Sequence, residues 1–246
     1  MPAAPLRWAF FRGMRDGSPF LIVVAPFGLL FGVVAREAGW DMAEILGMSV
    51  MVIAGASQFT ALQLLEDNAP TFMVILTATA VNLRNGMYSA SLAPHLGTAP
   101  LWQRALIAYC LFDQTYGTAI NRFTVGPPLS VAEKTAYFFG SAVLPCVVWY
   151  VASVAGAVAG QAIPAGLALD FAVAVTFIAL FAPMLRSLPH LAAALVSIVV
   201  ALACAWMPYQ TGLLVAALVA MLTGAGVERW LEGRASGPET GPGAGP

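Results

Sequence analysis

From residue 18 to residue 227 the sequence is a succession of apolar stretches, parted by short breaks rich in Pro, Gly or charge. Each stretch is about as long as the ~20 residues a helix needs to cross a bilayer. No other feature constrains the fold as strongly. In hydrocarbon every backbone N–H and C=O must be satisfied within the segment, which leaves the helix as the spanning element. The spacing predicts spans at 18–36, 43–65, 70–92, 102–123, 136–158, 165–185, 189–206 and 209–227, divided at Arg36-Glu37, Glu66-Asp67-Asn68, Pro94, Gly126-Pro127-Pro128, Pro164, Pro189 and Pro208. The last two connections are so short that seven spans is the alternative to eight. Charge supports the class: only 9% of the 246 residues are charged, against about 25% in a soluble domain, too few to cover a soluble surface. The reading is an all-α, polytopic membrane helix bundle, a single transmembrane domain over 1–232 with a disordered Gly/Pro-rich tail at 233–246.

Arg7, Arg12 and Arg15 precede the first apolar stretch as in a signal peptide, but further spans follow and the stretch is long, so it reads as an uncleaved first span. With eight spans and a cytoplasmic N-terminus, Arg7, Arg12, Arg15, Arg122, Lys134, Arg186, Arg229 and Arg234 fall in the cytoplasm, and Arg36 and Arg104 outside. That bias predicts that both termini are cytoplasmic. At an offset of 119 residues Pro26 matches Pro145, Gly47 matches Gly166 and Pro70 matches Pro189. An internal three-helix repeat and a chance match in a Pro- and Gly-rich chain both account for this.

Ionisable and carboxamide groups inside such spans are costly and mark a pathway, a cavity or a partner. They cluster in three blocks. In AVNLRNGMYSASLAPHL (80–96), Asn82 and Asn85 share a helix face, and Arg84 and Tyr88 lie four apart on the next one. Gly86 weakens the helix there, so an unwound turn is expected. A guanidinium fork suits a carboxylate; the alternatives are a structural ion pair or snorkelling. In FDQTYGTAINRF (112–123), Asp113 is the carboxylate placed deep in a span, a candidate for proton coupling or for an ion pair with Arg84 or Arg122. In AGASQFTALQLL (54–65), Ser57 and Gln58 line a substrate path or act as interhelical ties, and Phe59 offers an apolar contact. Asp170 reads as an interfacial charge and His95 as an interfacial loop residue.

Cys110, Cys146 and Cys204 lie in apolar runs without metal-site spacing and read as packing residues. No Walker, HExxH or GxSxG motif is present. The residues therefore point to no enzyme, metal or cofactor, and no basic run points to nucleic acid.

The blocks GASQFTALQLL (55–65), VNLRNGMYSASLAPHL (81–96) and FDQTYGTAINRF (112–123), with PFGLLFGVVAREAGW (26–40) ahead of them, resemble the AzlC family of bacterial inner-membrane permeases. The resemblance runs over about residues 8–230. It implies the large subunit of a two-component exporter of branched-chain amino acids (Leu, Ile, Val, with Met as a further candidate), in the bacterial cytoplasmic membrane. It also implies a separate small membrane subunit of the AzlD type and contact with membrane lipid. Where the family often has His after Asn-Leu-Arg, this chain has Asn85. The substrate-binding candidates are thus Ser57, Gln58, Phe59, Asn82, Arg84, Asn85 and Tyr88, with Asp113 for coupling or pairing. A membrane-embedded assembly or sensor subunit that does not transport is the alternative.

Overall fold

The computed structural model of the protein describes residues 6–161, 187–207 and 211–235. They belong to two compact units, Met1–Asp170 and Phe171–Pro246. The predicted span 165–185, with Gly166 and Asp170, and residues 236–246 of the tail lie outside the described residues. All regular structure among the described residues is helical.

Two long rods frame the first unit. One is α1 (Leu6–Gly17), a 3-10 turn (Ser18–Phe20) and α2 (Leu21–Glu37), which together make a 32-residue apolar helix. The other, which takes the label α9 by its place in the chain, is Val131–Gly160, opened by a capping box in which Ser130 and Glu133 satisfy each other's backbone N–H. Glycines set the distance between the rods. A Cβ on Gly13 would collide with the Tyr137 carbonyl, one on Gly32 with the Ser153 carbonyl and one on Gly156 with the Leu29 carbonyl. Small residues here let backbone meet backbone, the way apolar helices associate where lipid competes equally for side chains. Gly13 meets Tyr137, Gly17 meets Ser141 and Gly32 meets Ser153, so the two rods run parallel. The end at which α1 begins is called the near end below, and the opposite one the far end.

Six shorter helices fill the space beside the rods: α3 (Met42–Met51), α4 (Gly55–Glu66), α5 (Thr71–Val81), α6 (Leu83–Leu96), α7 (Leu101–Tyr109) and α8 (Asp113–Val125). Each span predicted at 43–65, 70–92 and 102–123 is therefore two half-length helices. Side-chain contacts give their directions. Ser57 Oγ donates to the Ala78 carbonyl at 3.0 Å, and Ala61, Leu64, Ala69 and Val74 form one buried cluster. Helices α4 and α5 are thus antiparallel. Gln58 Nε2 donates to the Met48 carbonyl at 3.1 Å, a contact that α3 and α4 could not make in one line. Phe59 packs on both Phe27 and Phe31, which carries α4 back towards the far end. Hence α3–α4 enters from the far end, turns at 52–54 and returns.

The second half mirrors this. Arg84 meets Asp113, Tyr88 meets Tyr116 and His95 meets Phe123, so α6 and α8 run parallel from mid-bundle to the near end. His95 there also reaches Lys134 near the start of α9. The turn 97–100 starts α7 at that same end, and α7 climbs until Tyr109 meets Tyr150 at 3.0 Å. So α7–α8 is a hairpin from the near end, and only the kinked α5–α6 crosses between the two rods.

This corrects the predicted crossing at 43–65; at 102–123 the sequence leaves crossing and re-entry both open, and the structure folds it back. The stretches 43–65 and 102–123 fold back on themselves, and an apolar run of either length fits a crossing and a hairpin equally. Arg104, placed outside by an eight-span count, moves to the near end with α7. Pro94 and His95 lie inside the last turns of α6 rather than after it. In the first unit Arg7, Arg12, Arg15, Arg104, Arg122 and Lys134 gather at the near end, while Arg36 is alone among cations at the far end, with Glu37, Asp41, Glu44, Glu66 and Asp67.

The two hairpins, α3–α4 and α7–α8, match at an offset of 58 residues and enter from opposite ends. Gly55 and Asp113 open the returning helices. Thr60 and Thr118 each donate to the carbonyl four residues back, at 2.8 and 2.7 Å, and Ala61 and Ala119 are buried. The 119-residue match retains Pro26 and Pro145 inside helices, but much of its second copy lies outside the described residues.

A labelling experiment checks the hairpins. Cysteines placed at Glu37 and Asn68 are expected to react with an impermeant maleimide from the same side of the membrane, and cysteines at Arg7 and Thr98 from the other. If Glu37 and Asn68 label from opposite sides, α3–α4 crosses and the hairpin assignment fails.

In the second unit α10 (Leu188–Ala203) and α11 (Thr211–Ala235) form an antiparallel pair, with Gly212 against Cys204 and Gly224 against Ala193. Helix α11 includes a 21-residue apolar span and continues past the predicted start of the tail.

Candidate functional site

Three interruptions meet halfway along the first unit. At 52–54 the chain is extended, with Val52 at φ −132°, ψ 94° and Ala54 at φ −149°, ψ 87°. Gly55 follows because a Cβ there would lie 2.8 Å from Phe27 and 2.9 Å from Trp149. At Asn82 the helix kinks; the break falls four residues before Gly86, which sits within α6 with open space around it. At 110–112 the extended Phe112 precedes α8, and Thr115 Oγ1 accepts from the Phe112 N–H at 3.0 Å. The two hairpin tips touch, since Tyr109 Oη donates to the Val50 carbonyl.

Each break starts a helix, so the positive ends of α4, α6 and α8 all lie at mid-depth. Asp113 occupies the first turn of α8, where the helix dipole favours a carboxylate. Its Oδ2 lies 3.0 Å from Arg84 Nη1, and its Oδ1 accepts from Tyr88 Oη at 2.8 Å. Tyr88 in turn stacks on Tyr116, with ring centroids 4.2 Å apart and planes 10° apart. Tyr116 Oη donates to Ser91 at 3.1 Å. The Arg84 and Asp113 side chains remain 35% and 41% exposed, so the pair is closed but reachable. Beside it Arg84 Nε, Asn82 Oδ1 and Asn85 Oδ1 are buried without a hydrogen-bond partner, leaving one unmet donor and two unmet acceptors.

The candidates from the sequence separate into two groups. Arg84, Tyr88 and Asp113 are in direct contact, with Asn82 and Asn85 on the same turn. Ser57 and Gln58 are fully buried and hold the half-helices α5 and α3 by their carbonyls. Phe59 packs edge-on to Phe27 and Phe31. Sequence reasoning missed Tyr116, whose signal was its place three residues after Asp113, and Tyr150, which carries no local signal; Tyr109, four residues before Asp113, shares a predicted helix face with it but was not among the candidates. Cys110 and Cys146 are free. At the near-end surface His95 Nδ1 is 3.3 Å from Lys134 Nζ.

A helical bundle that is apolar outside, with charges at its two ends and a few polar groups and helix ends at its centre, defines an integral membrane protein. The "AzlC protein" family profile matches residues 19–163, which take in α2, both hairpins, the α5–α6 crossing and α9. The chain belongs to the AzlC family. An "Uncharacterized membrane protein" of Helicobacter pylori (strain ATCC 700392 / 26695) is 27% identical over 79% of this chain and 86% of its own length. One of Archaeoglobus fulgidus is 27% identical over 79% and 84%. "Inner membrane protein YgaZ" of Escherichia coli (strain K12) is 29% identical over 47% of this chain and 48% of its own. No solved structure matches.

Proposed function

We propose that this chain is the transport subunit of a two-component secondary exporter that carries branched-chain amino acids, and Met, out across the bacterial cytoplasmic membrane. The observation that carries it is the Arg84–Asp113 pair, 3.0 Å apart and part-exposed at mid-bundle. Its charges are the complement of a zwitterion: the substrate carboxylate takes the Arg84 fork, and its ammonium takes Asp113 and the Tyr88 hydroxyl. Interrupted helices at the midplane are a recurrent way of building such a site, and two oppositely oriented hairpins supply one gate for each side. Asp113 is also the group that would exchange the coupling proton. The excess of cations at the near end orients the N-terminus to the cytoplasm, and a small AzlD-type subunit completes the assembly.

The test is efflux of preloaded labelled Leu, Ile, Val and Met from cells with and without the protein, its partner co-expressed. Faster loss of these over other amino acids is the expected result, and equal loss from both cell types sinks the proposal. Within it, Tyr88→Phe keeps the ring stack on Tyr116 but deletes a hydrogen bond to a carboxylate, worth about 1.5–3 kcal/mol when fully sheltered. Discounted for the site's exposure, a roughly 3–10-fold slower efflux at unchanged protein abundance is expected.

The use of Ser57 and Gln58 as ties between half-helices favours a second reading, an assembly subunit that does not itself transport. Polar-site variants would then lose partner binding, measured by co-purification, in step with any loss of efflux.

A further inference from the structure

A cavity lies at the near end, away from the central pair. It has a volume of about 360 Å³ and is bounded by α1, α8 and the start of α9, within the range of about 300–1,000 Å³ typical of small-molecule sites. Its lining includes Arg12, Asp16, Asn121, Arg122 and Tyr137. Arg122 is only 8% exposed. One of its nitrogens donates to the Pro127 carbonyl at 3.0 Å, while its Nε is buried without a partner. Across the cavity, Asp16 accepts from Tyr137 Oη at 2.7 Å and lies 3.8 Å from Arg12 Nε. Phe20 and Val125 supply apolar wall.

A largely buried guanidinium and a carboxylate that line one cavity with apolar walls are a poor site for a simple anion or cation. They match a molecule carrying both charges and a hydrocarbon side chain. The geometry points to a second site for a zwitterionic, aliphatic amino acid, its carboxylate on Arg122 and its ammonium on Asp16. This deepens the export reading and rests on it for the identity of the ligand. Gly117, Thr118 and Asn121 on α8 line this cavity, while Asp113, Tyr116 and Phe123 on the same helix face α6. Helix α8 is therefore the wall between the two sites, and the near-end site is where an amino acid is held before that hairpin lets it through.

Binding is read separately from transport. Asn121 is exposed on the cavity wall, so Asn121→Cys in the full chain, purified with its partner into lipid nanodiscs, gives a thiol to label with a hydrophilic maleimide; the parent chain reports labelling of the native cysteines. Leucine at about ten times its Kd leaves roughly one site in eleven free, so labelling slows about tenfold. Asp16→Asn and Arg122→Gln are each expected to abolish that protection. 4-Methylpentanoate, which lacks the ammonium, and isoamylamine, which lacks the carboxylate, should not protect. Equal protection by 4-methylpentanoate would reveal a plain anion site and overturn the inference, as would no protection by leucine from a protein that exports it. Protection in a protein that fails the efflux test upholds this site and removes only the export reading.

Discussion

Arg84→Gln and Asp113→Asn are each expected to abolish export, and the double exchange Arg84→Asp/Asp113→Arg to restore the protein's abundance without restoring transport. Removing one partner of a buried pair leaves an uncompensated charge and costs about 3–5 kcal/mol. Here the side chains are 35% and 41% exposed, so the stability loss belongs at or below the bottom of that range. Abundance should fall a few-fold rather than vanish. The exchange re-forms the attraction, so a purely structural pair would recover fully. A zwitterion site would not, because the carboxylate-binding fork would then sit on α8 and the ammonium acceptor on α6, reversing the substrate. Efflux and membrane abundance measured on the same cells separate the two. Recovery of transport in the exchange variant would show that the pair only ties α6 to α8. Full export by Asp113→Asn would remove its proton role.

The class of the protein was legible because twenty-residue apolar stretches admit little else, and the centre was legible because Arg84 and Asp113 are expensive inside one. What periodicity does not carry is whether such a stretch passes through or turns back. The tip at 52–54 is Val-Ile-Ala, with no Pro or Gly within it. Its extended backbone is imposed by Gln58 binding the end of α3 and by Phe27 and Trp149 crowding Gly55. The Phe27 and Trp149 contacts come from far along the sequence. Gly86 looked like the place for an unwound turn, yet the kink formed at Asn82 because helix interruption follows tertiary packing more than intrinsic propensity. Once the hairpins are known, the charge bias that oriented the chain sharpens, since Arg104 moves to the side of the other cations.

The glycine seam between the rods is the other place where one atom decides the outcome. Gly32→Ala or Gly156→Ala puts a methyl against a carbonyl of the opposite rod, and a real Cβ never comes so close. The neighbour is backbone, so no rotamer change relieves the clash. The rods must separate along a seam that also includes Gly13, Gly17 and Gly140, all similarly close-packed. Overpacking a well-packed core costs about 1–3 kcal/mol and sometimes more, and separation also strips the packing that holds helices together in lipid. Both alanine variants are expected to lose most of their folded protein, read as the monodisperse fraction after detergent extraction and as a lower melting temperature. Gly86→Ala is the control, because a Cβ there meets nothing within 4 Å. Replacing a mid-helix glycine by alanine gains about 0.5–1 kcal/mol, so that variant should melt at the parent temperature or slightly above. If Gly32→Ala matches Gly86→Ala, the rods are not in backbone contact, and the parallel arrangement that fixes the direction of every hairpin loses its main support.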